Sequence, residues 1–322
     1  MRILITGGLG FIGSNLATKL SILGHDIVIV DNLNPLYGGN KYNLHEANNK
    51  NIELIIGDVK DKELMLKLTK DVDIIFHFAA QVSYIDSLNM VYDDVDTNVL
   101  STLNILESIK NMDKKPIVVF SSSRLVYGKI NGLIDENYPT NPISIYGINK
   151  LTSERYIQTY HKNFGIPYII LRLTNPYGMK QQMKHSKYSI IGWFIRQAME
   201  NKTITVFGDG TQKRDYIYID DVIDSILLLI SKEEYKNKIY NVGSNISIEF
   251  REMIEKIIKI TGRGKMIFTN WPEDYENIES GTIDIDISKL FSIGWKPKND
   301  LSLGISKTLE FYKSNKNYYF YE

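Results

Sequence analysis

A chain of 322 residues, 43% hydrophobic and 24% charged, can bury one large core or two smaller ones, which excludes a disordered or fibrous class. Lys plus Arg and Asp plus Glu each number 38, so the formal net charge is zero, the basic excess of a general nucleic-acid or anionic-membrane binder is missing, and any bound anion needs a local site. With no cysteine, no metal-ligand spacing among five histidines and no apolar run near the roughly 20 residues of a membrane span, the expectation is a cytoplasmic protein without metal, nucleic-acid or membrane partners.

The first half alternates short β-branched runs with helical patterns, the form of a doubly wound α/β fold with a parallel sheet. Strands are predicted at 2–6, 26–30, 52–56, 73–78, 117–121 and 168–173, and helices at 11–23, 61–70, 91–110 and 145–164, so six or seven parallel strands fit. After Asn175 the rhythm breaks into a polar loop at 179–188, followed by helices at 219–231, 248–261 and 301–313. This division predicts a dinucleotide-binding domain over 1–175 and a smaller C-terminal substrate-binding lobe over 176–322, some of whose segments return to the first domain. The lobe would close a cleft over the carboxyl ends of the strands. The ending at 313–322, dense in Asn, Lys and Tyr, reads as a segment that frays.

Gly7, Gly10 and Gly13 stand between the first strand and the first helix. A tight turn at Gly7, close approach of a pyrophosphate at Gly10 and close helix–strand packing at Gly13 each need a missing side chain, and the helix N-terminus supplies donors and positive potential. The bland alternative is a strand-to-helix turn with no ligand. Asp31 closes the second strand, where its carboxylate can accept from both hydroxyls of an adenosine ribose and repel a 2′-phosphate, which favours NAD over NADP; no Lys or Arg follows until Lys41. Asp58 closes the third strand and could accept from the adenine amino group or simply make a turn.

Tyr146 and Lys150 are four apart in a helical pattern and share one face. Among 21 tyrosines the same spacing recurs at Tyr37/Lys41 and Tyr312/Lys316, so position separates them: Tyr146 follows a strand ending in Ser121-Ser122-Ser123. A phenol with an ordinary pKa near 10 is a poor base at neutral pH unless positive charge stabilises its anion. Lys150 and an oxidised nicotinamide would both supply that charge, while the Ser123 hydroxyl shares the substrate oxygen.

These residues, with His77-Phe78-Ala79-Ala80, Val126-Tyr127-Gly128, Asn175-Pro176-Tyr177-Gly178 and Arg214-Asp215-Tyr216 in the same order, resemble the extended short-chain dehydrogenases/reductases, the NAD-dependent nucleotide-sugar epimerase and dehydratase group. The resemblance spans almost the whole chain. It implies a Rossmann-type NAD-binding domain, catalysis by Ser123, Tyr146 and Lys150, and cofactor contacts from Phe11, Ile12, Asn32, Val59, Phe78, Ala79, Ala80, Asn98, Ser121 and Leu173. It also implies that Asn175 and Arg214 hold a nucleoside-diphosphate sugar and that the chain pairs as a homodimer through the helices at 91–110 and 145–164. There Val95, Val99, Leu103 and Leu106 recur at helical spacing, for which facing the sheet is the simpler reading.

Two departures stand out. Dehydratases of the group place an acidic pair after the catalytic hydroxyl, whereas Arg124 and Leu125 follow Ser123; and the arginine expected in the late loop is replaced by Glu279, leaving Lys180, Lys184, His185 and Lys187 of the polar loop either to compensate or to be solvated. Trp271 stacks on a base or plugs the lobe. The reading is oxidation at C4 of a nucleoside-diphosphate sugar by an epimerase, with a net C4 dehydrogenase as the alternative and a 4,6-dehydratase or a non-catalytic NAD-binding protein behind them.

Overall fold

The computed structural model describes residues 1–129, 132–188, 190–271, 281–282 and 284–320. The first half provides β1 (Arg2–Thr6), α1 (Phe11–Ile22), β2 (Asp26–Asp31), β3 (Ile52–Ile56), α2 (Lys62–Leu68), β4 (Ile74–His77), α3 (Val91–Val95), α4 (Ser101–Ile109), β5 (Ile117–Ser123), β6 (Leu133–Ile134), α5 (Ile145–Phe164) and β7 (Tyr168–Leu173). The second half provides β8 (Asn175–Tyr177), α6 (Ile190–Met199), β9 (Thr203–Phe207), β10 (Lys213–Tyr218), α7 (Ile219–Leu229), β11 (Lys238–Val242), β12 (Ser247–Glu249), α8 (Phe250–Thr261), β13 (Lys265–Thr269), β14 (Asp284–Ile285), α9 (Ser288–Ser292) and α10 (Leu301–Tyr319).

Seven strands form one parallel sheet in the order β11-β7-β5-β4-β1-β2-β3, so a strand from the second half closes one edge. Apolar residues run continuously through β1, β4 and β5 because both faces are covered. Ile3, Ile5, Phe76 and Val119 share one core with Leu16 and Leu20 of α1, while Leu4, Ile75, Val118 and Phe120 share another with Ile105, Leu106 and Ile157. The strand order reverses beside β1, which opens a crevice at the carboxyl ends of β1 and β4. Small sheets of β8 with β10 and β12, and of β9 with β13, build the lobe beyond that edge.

Two expectations change. The helix predicted over 91–110 is interrupted by a π-turn at Asp96–Leu100, and of its apolar residues Val99 and Leu106 turn inward while Leu100 and Tyr92 are exposed. Residues 313–319 are helical: α10 continues to Tyr319, Tyr318 stacks on Tyr42 with ring centroids 3.5 Å apart, and the Tyr319 hydroxyl donates to Asn43 Oδ1 at 2.6 Å, while 321–322 lie outside the described residues. Aromatic burial outweighs the polar composition there.

Helix α5 is fixed at both ends and in the middle. The Ser144 hydroxyl caps it by accepting from the Gly147 amide, and Gly165 ends it with a left-handed φ of 72°. In the middle, Glu154, 0% exposed, meets Arg172 of β7, 2% exposed, through a two-armed pair at 3.0 and 2.7 Å, and also accepts from the Ser122 hydroxyl. Glu154→Ala leaves a buried guanidinium without its counter-charge, so unfolding stability should drop by about 3–5 kcal/mol. A denaturation midpoint equal to that of the parent chain would show that the pair does not anchor this helix.

Candidate active site

The turn after β1 has the local features that a phosphate site needs. Gly7 has φ 68°, and a Cβ there would lie 2.7 Å from the Ala79 amide nitrogen; a Cβ on Gly13 would lie 2.4 Å from the Gly7 carbonyl oxygen. Both are therefore demanded by the fold itself. Gly10 is different: within 4 Å a Cβ would meet only the Gly7 carbonyl oxygen, at 3.2 Å. The open space in front of it, at the N-terminus of α1, suits a ligand that approaches the backbone closely.

A cavity of about 720 Å³ starts there and continues into the lobe. Gly7, Gly10, Phe11, Ile12, Gly13, Asp31, Asn32, Val59, Phe78, Ala79, Ala80, Ser121, Ser123, Tyr146, Lys150, Leu173, Asn175 and Arg214 all line it. The Asp31 carboxylate accepts from the Leu9 amide at 3.0 Å and the Leu33 amide at 2.9 Å, which fixes its direction and leaves further lone pairs for ribose hydroxyls. Burial raises its pKa.

At the centre, the Ser123 hydroxyl and the Tyr146 phenol line the cavity together, and the hydroxyl acts on the phenol. Burial pushes the phenol well above its ordinary pKa and Asp94 adds to the rise, while the Ser123 hydroxyl and the charge of Arg124 oppose it. Beside the charge expected from Lys150 and an oxidised nicotinamide, Arg124 contributes positive charge here. Lys150 is 2% exposed, with its ammonium 4.7 Å from the Phe120 ring centroid and 5.8 Å from that of Tyr146. Burial pulls its pKa down to about 8 against the opposing pull of Asp94 and Glu154. No described protein atom accepts a hydrogen bond from this ammonium, so its donors are available to a ribose in the cavity. The open Gly10 backbone, the oriented Asp31 and this ammonium together fit an NAD.

Three assigned residues lie off the cavity wall. Lys180 was expected at the substrate; its ammonium instead donates to Thr18 Oγ1 at 3.0 Å and pairs with Glu46 at 3.3 Å, because the backbone there adopts a left-handed φ of 68° and turns the side chain toward α1. Asp58 accepts from Asn32 Nδ2 at 3.0 Å and from the Lys60 amide at 2.9 Å, so it positions Asn32 and does not itself face the adenosine end. Asn98 sits in the π-turn, donating to Asp94 Oδ1 at 3.0 Å and to the Gln81 carbonyl at 3.1 Å; its own carbonyl accepts from Ser153 of α5 at 2.7 Å. It braces α5. Glu279 lies outside the described residues.

Several site residues carry no readable sequence signal. Asp94 is buried, accepts from Asn149 Nδ2 at 2.7 Å, and acts electrostatically on both Tyr146 and Lys150. Lys60 reaches the adenosine end from the loop after β3, paired with Asp58 and Asp93 at 3.6 and 3.7 Å. In the lobe Trp271 lines the cavity beside Phe207, ring centroids 5.7 Å apart, with Phe194 and Gln197 on the same wall. Among the described residues no cluster of His, Asp or Glu is placed to hold a metal ion, and no described helix is long and apolar enough to cross a membrane.

The family model of the NAD dependent epimerase/dehydratase family matches residues 3–243, and the chain belongs to that family. A protein of Methanocaldococcus jannaschii, provisionally assigned as a UDP-glucose 4-epimerase, is 40% identical over 97% of this chain and 99% of its own length. The dTDP-D-glucose 4,6-dehydratase of Dictyostelium discoideum is 30% identical over 99% of this chain and 83% of its own. The crystal structure of UDP-glucose 4-epimerase from Thermotoga maritima with UDP-glucose superimposes with a TM-score of 0.90 at 29% identity, covering 98% of this chain and 100% of that one.

A Lys150 that titrates near 8 is charged below that pH and neutral above it. Because NAD carries a diphosphate, loss of this charge removes attraction, so NAD affinity should fall as pH rises through about 8. Titrations of NAD binding against pH on the parent chain and on Lys150→Met should show the limb in the first and not in the second; identical profiles would reassign it.

Proposed function

We propose that this family member is an epimerase that inverts C4 of a nucleoside-diphosphate sugar. The observation that carries the reading is that Ser123, Tyr146 and the buried Lys150 ammonium, 5.8 Å from the Tyr146 ring centroid, line one cavity at the point where its dinucleotide half meets the lobe. Bound NAD would supply the two-electron acceptor and donor for C4. The chain's own residues move the proton. With the 4-oxygen held between the hydroxyls of Ser123 and Tyr146, the deprotonated phenol takes the hydroxyl proton on oxidation and gives it back on reduction. Burial favours the protonated phenol, and the positive charge of Arg124 and the Ser123 hydroxyl oppose that preference. Lys150 would hold the nicotinamide ribose, and Asn175 and Arg214 would hold the sugar nucleotide.

Dehydratases are among the relatives, but Arg124 and Leu125 line the cavity directly after Ser123. Neither is a carboxylic acid that could donate a proton to a departing C6 hydroxyl, so the 4-keto sugar is reduced again and water is retained. Tyr146→Phe removes the ionisable oxygen with little change in volume, so turnover should fall at least about a hundredfold with NAD still bound. With the parent chain, product mass should equal substrate mass without NADH build-up. Loss of two hydrogens with stoichiometric NADH would mark a dehydrogenase, and loss of a water mass would mark a dehydratase.

The same reading includes a homodimer in a cytoplasmic setting, consistent with a cysteine-free chain. The helices α3, α4 and α5 with the π-turn leave Tyr92, 86% exposed, Leu100, Ile148 and Tyr156 on their outer surfaces, apolar area that a second copy would cover. Sedimentation at micromolar concentration should give twice the chain mass; a single-chain mass throughout would remove the dimer from the reading.

A further inference from the structure

Helix α10 ends against the loop that follows β2. Its path bends at Asn315, where φ −117° and ψ 17° leave the helical range, and the last turn then lies on residues 40–43. The contacts there are specific. The Tyr319 hydroxyl donates to Asn43 Oδ1 at 2.6 Å, the Tyr318 carbonyl accepts from Asn40 Nδ2 at 2.9 Å, and the Tyr42 hydroxyl donates to Asn315 Oδ1 at 2.7 Å. Asn43 is wholly buried and Tyr319 nearly so.

Both asparagines of the loop pass this restraint on to the glycine turn. The Leu9 carbonyl accepts from Asn43 Nδ2 at 2.8 Å and from the Asn40 amide at 3.0 Å, while the Leu9 amide donates to Asp31 Oδ2 at 3.0 Å. A peptide unit is planar, so a carbonyl held at Leu9 fixes the plane that also carries the Gly10 amide, at the point where the cavity lets a ligand approach the backbone. The same loop bears on Asp31 directly. A Cβ on Gly39 would lie 3.0 Å from Asp31 Oδ1, and Gly38 and Gly39 line the cavity, whereas Tyr319 and Asn43 do not.

We propose that the end of the chain is a clasp on the NAD site, in which Tyr319, acting through Asn43, is a positioning residue for the dinucleotide. The Asn43 amide has one orientation, because its nitrogen also donates to the Lys180 carbonyl at 3.3 Å and its oxygen takes the phenol. Without the phenol hydroxyl that oxygen is buried and unpartnered, a state that folded chains avoid. The relief is a shift of the loop toward water, which takes the Asn43 donor away from Leu9 and loosens the turn. The clasp therefore acts on the adenosine and diphosphate half of the site and leaves the nicotinamide end to Ser123, Tyr146 and Lys150.

The test measures binding by the purified full chain and does not depend on which sugar is turned over. Tyr319→Phe keeps the ring and removes only the hydroxyl; the Kd for NAD should rise about tenfold, the factor that one hydrogen bond of ordinary strength controls. ADP-ribose, which lacks the nicotinamide, should lose the same factor. Asn43→Ala should weaken NAD at least as much, and adding Tyr319→Phe to it should weaken binding no further, as expected when one residue acts through the other. Tyr240→Phe is the control: it removes a buried hydroxyl on the edge strand β11, one that donates to the Tyr235 carbonyl at 2.9 Å, and should leave NAD affinity unchanged. On the nucleotide sugar that the parent chain turns over, the Tyr319→Phe chain should keep its kcat at saturating NAD and raise only the KM for NAD. Four results overturn the proposal and leave the epimerase reading in place: a Tyr319→Phe chain that binds NAD within about twofold of the parent, a loss seen with NAD and absent with ADP-ribose, a fall in kcat at saturating NAD, or a Tyr240→Phe chain that loses as much affinity. A parent chain that binds no NAD would defeat the epimerase reading and the clasp together.

Discussion

The catalytic half of the fold depends on a buried ammonium. An isolated charge taken out of water costs several kcal/mol even after the protein relaxes, and Lys150 is almost wholly enclosed. Its surroundings reduce that cost without neutralising it: the face of Phe120 lies under the ammonium, and Asp94 and Glu154 direct negative charge toward it. Neither carboxylate is a direct salt-bridge partner, since Asp94 accepts from two side-chain amides and Glu154 is taken by Arg172. Lys150 therefore remains ionisable and keeps its donors for a ligand, at the cost of a pKa lowered to about 8.

Holding Asp94 in place explains the break in the helix before α4. Asn98, one π-turn on, gives its amide to Asp94 and to the Gln81 carbonyl, and its widened backbone leaves a carbonyl that receives Ser153 from α5. The same economy appears at the carboxyl end of the sheet. His77, held neutral because burial and the Lys150 charge push its pKa down to about 3, bridges Thr6 and Thr102. Thr6 Oγ1 also receives the amides of Phe78 and Ala79, the residues against which Gly7 packs. The glycine turn and the catalytic helix are thus tied to one polar seam between β1, β4 and α4.

What sequence spacing reveals is interaction over one or two helical turns and the alternation of buried strands. The bounds of α5, the glycine turn, Asp31 and the Ser123, Tyr146 and Lys150 set were legible for that reason. Contacts between residues far apart in sequence left no such trace. Asp94 reads as one of several acids on a polar helix start, yet it is the buried group acting on both Tyr146 and Lys150. Lys60 was invisible to a search for cations after β2 because the sheet brings it from the neighbouring strand. Lys180 misled because a lysine in a polar loop reads as solvent- or ligand-facing, whereas one left-handed residue turns it into a buried partner for Glu46. The aromatic end of the chain misled in the same way, its tyrosines being judged by their polar neighbours and not by the groove they fill.

Spacing between the hydroxyls of Ser123 and Tyr146 is set by a feature that belongs to neither. Ser123 Oγ accepts from the Leu125 amide at 3.2 Å, so the 3-10 turn after β5 orients the serine. The first turn of α5 then packs on that turn: a Cβ on Gly147 would lie 2.7 Å from the Leu125 carbonyl oxygen and 3.0 Å from Pro142 Cβ. Glycine beside Tyr146 lets the helix come that close, and Tyr146 is carried with it to the cavity wall that Ser123 also lines. Arg124 stands in the middle of the same turn, so the hydroxyl, the phenol and the guanidinium share one rigid base. A substitution that displaced the turn would shift all three together.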